Sequence, residues 1–74
     1  MQIYLDYNLD GINFSNAHLS GADLSNSSLR GANFGGATLQ GANLKGANIS
    51  GVKFQNHQVK DAIMPDGSRY EQTT

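Results

Sequence analysis

Every fifth residue from Leu9 to Val59 is large and apolar: Leu9, Phe14, Leu19, Leu24, Leu29, Phe34, Leu39, Leu44, Ile49, Phe54 and Val59. A period of five matches neither the 3.6 of an α-helix nor the 2.0 of a β-strand. It is an internal repeat, and a repeat decides architecture before local propensity does. Two residues before these centres a small residue recurs, as at Ala17, Ala22, Ser27, Ala32, Ala37, Ala42, Ala47 and Ala62. Two residues after them comes Gly or Asn: Gly11, Asn16, Gly21, Asn26, Gly31, Gly36, Gly41, Gly46, Gly51 and Asn56. The other two positions of each unit are polar and variable.

Each position has a physical meaning. Gly and Asn accept a positive φ at low cost, which the third residue of a type II turn requires. The chain is therefore expected to bend once per pentad. The small and large apolar residues are two apart, so between bends both face inward and the polar ones face out. A second period sets the circuit. The three phenylalanines, Phe14, Phe34 and Phe54, are twenty apart. Four pentads then make one circuit, and like residues stack: Leu9–Leu29–Ile49, Leu19–Leu39–Val59, and Tyr4–Leu24–Leu44–Met64.

The units Ala22-Asp23-Leu24-Ser25-Asn26, Ala32-Asn33-Phe34-Gly35-Gly36 and Ala42-Asn43-Leu44-Lys45-Gly46 resemble the A(D/N)LxX motif of the pentapeptide-repeat family. The resemblance covers residues 2–64. It implies an all-β fold, a right-handed quadrilateral β-helix, here a solenoid of about three coils of four pentapeptides. The tail Met64-Pro65-Asp66-Gly67-Ser68 is similar to the ends of small members from cyanobacteria. The expected organisation is a β-helix over 1–64 and a C-terminal turn and tail over 65–74.

Seventy-four residues make one domain with little core to bury. There is no cysteine, so redox compartment is not indicated. No apolar run reaches transmembrane length, and Met1-Gln2-Ile3-Tyr4-Leu5-Asp6 lacks the basic region of a signal peptide. A cytoplasmic location is the default expectation. The formal net charge is −1, with both signs interspersed, which argues against nucleic acid or an anionic membrane as partner.

The ends of the repeat depart from its middle. Tyr7, Ile12, Val52 and His57 occupy slots that are small elsewhere, as end caps would. Ile3, Tyr4 and Leu5 form an apolar run on the first edge, the candidate self-association edge, since an open apolar edge templates pairing. Pro65-Asp66-Gly67 is a turn signal, after which Ser68 to Tyr70 are expected to fold back over the last core layer. The eleven pentad centres from Leu9 to Val59 form the expected structural core ladder. Asp10 is expected beside Arg30, a surface pair contributing about 0–1 kcal/mol.

Catalytic and ligand chemistry find no support. His18 and His57 lie on the same side but about two coils apart, with no accompanying Cys or carboxylate cluster, so no metal is expected. Seven of the nine glycines sit at the turn position and none is followed by Lys-Ser/Thr, so no phosphate loop is present. No nucleophile, base and orienting group are grouped, and a filled core leaves no pocket. No enzyme activity, cofactor or small-molecule substrate is expected. The reading that follows is a small, rigid module for protein–protein interaction or scaffolding. Its partner is a protein or a second copy, with a homodimer through one end of the solenoid as one form, and Lys45, Lys53 and Lys60 as further contacts.

Two alternatives stand beside it. The family resemblance implies one: some members imitate duplex DNA and bind type II topoisomerases such as gyrase. That needs a long acidic rod, whereas this repeat sets Asp6, Asp10, Asp23 and Asp61 against Arg30, Lys45, Lys53 and Lys60. The other is a structural segment of a larger multidomain protein, against which the Met1 start argues mildly.

Overall fold

The computed structural model describes residues 6–70, apart from the side chains at 56 and 57. The pentad governs the backbone on both sides of a single break after Phe54. From Leu9 to Ile49, and again at Val59, the N–H three residues after a centre donates to that centre's carbonyl, as in Ile12 to Leu9 at 3.0 Å and Ala42 to Leu39 at 2.9 Å. The third residue of these turns has positive φ, from 61° at Asn16 to 77° at Gly51. That is the geometry of a type II turn, and a Cβ is tolerated there only in Asn and Asp.

Successive segments of twenty residues lie in register. Parallel bridges join Asn8 to Ser28, Asn13 to Asn33, His18 to Thr38, Asp23 to Asn43, Ser28 to Asn48 and Asn43 to Ile63. Across each bridge a centre donates to the next layer, as Leu9 N to Ser28 O at 2.7 Å, and the next layer donates back, as Ser28 N to Tyr7 O at 2.8 Å. We call residues 6–25, 26–45 and 46–65 the first, second and third layers.

The expected class is corrected by these contacts. Among the described residues there is no β-strand and no sheet; the pairing consists of isolated single-residue bridges, and the one regular element is a 3-10 helix over Asn56–Val59. An all-β, right-handed quadrilateral β-helix solenoid therefore does not describe this chain. The reason lies in the repeat itself. A left-handed residue every five positions interrupts the extended backbone, and only one residue per pentad bridges its neighbour layer. A strand needs consecutive paired residues, and the pentad never supplies them.

The core runs between the layers. Leu19, Leu24, Leu29, Phe34, Leu39, Leu44 and Val59 are buried, with Ala22, Ser27, Ala32, Ala37, Ala42, Ala47 and Ala62. Leu9, Phe14, Ile49 and Phe54, nearer the ends, are partly buried against them. The phenylalanine rings stack, with centroids 5.5 Å apart for Phe14–Phe34 and 5.3 Å for Phe34–Phe54.

The register breaks once. Asn56, expected at a turn, instead opens the 3-10 helix, and among the described residues no bridge joins Asn33 to position 53. The chain recovers at Ile63, then folds back. Met64 N donates to Ser68 O and Tyr70 N to Ala62 O, each at 2.7 Å, and Ile63 pairs antiparallel with Arg69. Tyr70 packs against the core at that end.

Candidate functional site

Outward Asn and Asp side chains bond their own backbone. The Oδ1 of Asn8, Asn13, Asp23, Asn33, Asn43 and Asn48 each accepts the N–H two residues on, at 2.9–3.1 Å. This Asx-turn satisfies the N–H of the residue that begins the bend. It explains why Asp or Asn recurs between the small and large residues. At Ser28 the side chain is one atom too short. The layer below supplies the missing acceptor: Asp10 Oδ1 takes Arg30 N at 3.0 Å and also the Ser28 hydroxyl.

Asp10 thus becomes a side-chain tie between the first two layers, added to their backbone bonds. Its Oδ2 accepts Arg30 Nε at 3.1 Å and Arg30 Nη2 at 2.9 Å. The Ser28 hydroxyl first, then the Arg30 guanidinium, hold its carboxyl below the ordinary carboxylate range. A lowered folded pKa adds stability above the unfolded value, near 3.9, and that contribution is lost as pH falls through the lowered one. Thermal melts from neutral pH downward are expected to show an acid-side loss of Tm that is shallower in Asp10→Asn than in the wild type.

A second interlayer contact involves the turn residues. A Cβ added at Gly36 would collide with the Asn16 side chain, and one at Gly46 with that of Asn26. These amides lie over the glycine of the next layer. Beside the second pair, Ser25, Asn26, Asn43, Lys45, Gly46 and Pro65 line a solvent-open groove of about 350 Å³.

The first-layer end differs from the rest. Asn8, Asn13 and His18 bridge the second layer by side and turn neighbours, but their own N–H and C=O groups point the other way. Among the described residues these groups have no partner in another layer. Leu9, Ile12, Phe14 and Ala17 are only partly buried there, whereas Leu29, Ala32, Phe34 and Ala37 above them are closed over. Tyr7 is the exposed large apolar residue of the described chain, at 56%. The far end is partly sealed, by the 3-10 helix and by the fold-back at Ile63–Tyr70.

The residues singled out from sequence fall as follows. Ile3, Tyr4 and Leu5 lie outside the described residues. His18 is exposed, and no group of three or more His, Cys, Asp or Glu able to hold a metal occurs among the described residues. The His57 side chain lies outside the description. Sequence reasoning missed Gln58, which is 6% exposed. Its Nε2 donates to Phe34 O at 2.8 Å and Ala37 O at 2.9 Å, and its Oε1 accepts Gln55 N at 2.8 Å. No sequence signal marked it, since the capping-box signature opens on Ser or Thr and this one opens on Gln55.

The family model for pentapeptide repeats matches residues 8–46 and 27–64, with eight copies. The chain belongs to the pentapeptide-repeat family. Among solved structures it is similar to Rfr23, a pentapeptide-repeat protein from the cyanobacterium Cyanothece 51142. That match has 30% identity and a TM-score of 0.59, over 84% of this chain and 46% of that one. It also matches HetL, a pentapeptide-repeat protein involved in heterocyst differentiation regulation from the cyanobacterium Nostoc sp. strain PCC 7120. There the identity is 26% and the TM-score 0.34, over 90% of this chain and 48% of that one. The chain spans about half the length of both. No curated protein matches it. No helix among the described residues of this pentapeptide-repeat chain is long and apolar enough to cross a membrane.

The functional expectation is corrected along with the fold. A protein-interaction or scaffold module was to present the outer faces of a stacked β-solenoid, and the DNA mimic required a rod of such coils. With neither strand nor sheet among the described residues, that architecture is absent and both readings fall.

Proposed function

We propose that this non-enzymatic chain acts in the cytoplasm as a self-pairing protein, its first partner being a second copy of itself. The observation that carries the reading is the first-layer end. There a row of outward backbone donors and acceptors at Asn8, Asn13 and His18 borders partly exposed Leu9, Ile12 and Phe14. Such an edge templates pairing with another backbone. The bridge residues of this edge carry no acidic or basic side chain other than His18, so two copies meet there without strong like-charge repulsion. The candidate edge at Ile3, Tyr4 and Leu5, outside the described residues, is kept as part of this proposal. The ladder from Leu9 to Val59 is given a structural role only.

Light scattering over a concentration series tests it. The wild type is expected to dimerise as concentration rises. Tyr7→Glu, at an exposed site, is expected to keep the melting curve and lose the dimer, while Ser50→Glu on an outer turn keeps both. A wild type that stays monomeric at every concentration overturns the reading, as does a dimer indifferent to Tyr7→Glu.

A further inference from the structure

Two carboxylates are held below the ordinary range, Asp10 and Asp66. They are also the two aspartates followed by glycine, Gly11 and Gly67. Asp-Gly is the dipeptide most open to isomerisation, because glycine offers an unhindered nitrogen. In that reaction the glycine N attacks the aspartate Cγ. An N–Cγ bond forms, a Cγ–O bond breaks, and the nitrogen's proton leaves with the hydroxyl as water. Hydrolysis of the resulting succinimide at the former main-chain carbonyl returns the water. The chain then runs through Cβ and Cγ, one methylene longer.

The fold opposes this at both sites by the same two means. The nitrogen that would attack is already a donor: Gly11 N to Arg30 O at 2.9 Å, and Gly67 N to Met64 O at 2.8 Å. The carboxyl that would be attacked is pinned and kept ionised, and a carboxylate has no hydroxyl to expel. Arg30 and Ser28 hold Asp10. At Asp66 the Oδ1 accepts Ser68 N at 2.9 Å and Ser68 Oγ at 2.6 Å.

The two locks differ in reach. Asp10 is held across layers, by residues eighteen and twenty positions away, and its attacking neighbour Gly11 N is bonded to Arg30 O of the second layer, so freeing that nitrogen requires parting the first two layers. Asp66 is held locally, by Ser68 two positions on, within an exposed turn. Local turns open far more often than packed layers separate. We infer that Asp66–Gly67 is a latent isoaspartate site, silent while the turn is closed and reactive when it opens. The product does not reverse readily. The added methylene shifts Ser68 and Arg69 out of register with Met64 and Ile63. Tyr70 then loses its bonds to Ala62 O and Asp61 N, and the fold-back no longer seals the third layer. The tail thereby records its own opening.

The test is peptide mapping for isoaspartate after timed incubation of the full chain at neutral pH. Folded wild type is expected to convert Asp66 several-fold more slowly than the same chain in urea. Ser68→Ala is expected to raise conversion at Asp66 several-fold and leave Asp10 unchanged. Ser28→Ala with Arg30→Ala is expected to do the reverse. Equal rates at Asp66 in buffer and in urea overturn the inference. So does Ser68→Ala without effect on Asp66 while hydrogen exchange shows the Arg69 and Tyr70 amides newly opened.

Discussion

Phe34→Ala is expected to cost about 3–5 kcal/mol, the range for removing a large buried aromatic. The ring is 1% exposed and lies between Phe14 and Phe54 at centroid distances of 5.5 and 5.3 Å. Both neighbours lose a partner at once, and tilted aromatic pairs contribute roughly 0.5–1.5 kcal/mol each beyond area burial. A small domain has a total stability of only about 5–15 kcal/mol, and one this size sits low in that range. The variant is expected to be largely unfolded at room temperature by circular dichroism and urea titration. Phe14→Leu and Phe54→Leu, at partly buried end positions, are expected to remain folded with reduced Tm. A Phe34→Ala protein melting within a few degrees of wild type would show that the phenylalanine stack does not hold the layers together.

What could be read in advance was whatever repeats. The turns at Gly11 through Gly51 follow from residues that accept positive φ, and the twenty-residue register is visible in three phenylalanines. The fold-back after Pro65-Asp66-Gly67 was legible from turn chemistry. The chain class was not. A polar-apolar alternation over three residues looks the same whether those residues join a strand or supply one isolated bridge, and only the pairing distinguishes them. The Asx-turns were also hidden, because an outward polar position such as Asn13 or Asn43 looks the same in the pattern whatever its side chain bonds. Their side chains bond first to their own backbone. Non-repeating detail fared worst. Asn56 fitted the turn position yet begins a 3-10 helix, and nothing in Gln55-Asn56-His57-Gln58 told which polar side chain would turn inward.

That inward residue carries the second large effect. Elsewhere a small residue's carbonyl accepts a backbone N–H from the next layer, as Ala17 O does from Thr38 N at 3.0 Å and Ala22 O from Asn43 N at 2.8 Å. For Ala37 the equivalent donor is Gln58 N, but the 3-10 helix diverts it to Gln55 O at 2.9 Å. The Gln58 side chain makes good the loss, its Nε2 reaching Ala37 O and Phe34 O. Meanwhile Gln58 O still accepts Leu39 N at 2.9 Å, so the residue rejoins the register by its carbonyl. Gln58→Leu keeps the volume and removes these bonds. It leaves Ala37 O, a buried group, short of a partner, while the N–H of exposed Gln55 can turn to water. Urea titration is expected to register a loss of roughly 1–3 kcal/mol. Gln58→Glu is expected to be worse at neutral pH, where a carboxylate faces two carbonyl oxygens and cannot donate. Burial raises that carboxyl's pKa in the folded state, so the variant should regain stability as pH falls and the proton restores a donor, opposite in sign to the wild type's dependence at Asp10. If both variants match wild type, the 3-10 helix closes the break without its glutamine, and the sealed end owes its order to the fold-back at Tyr70 instead.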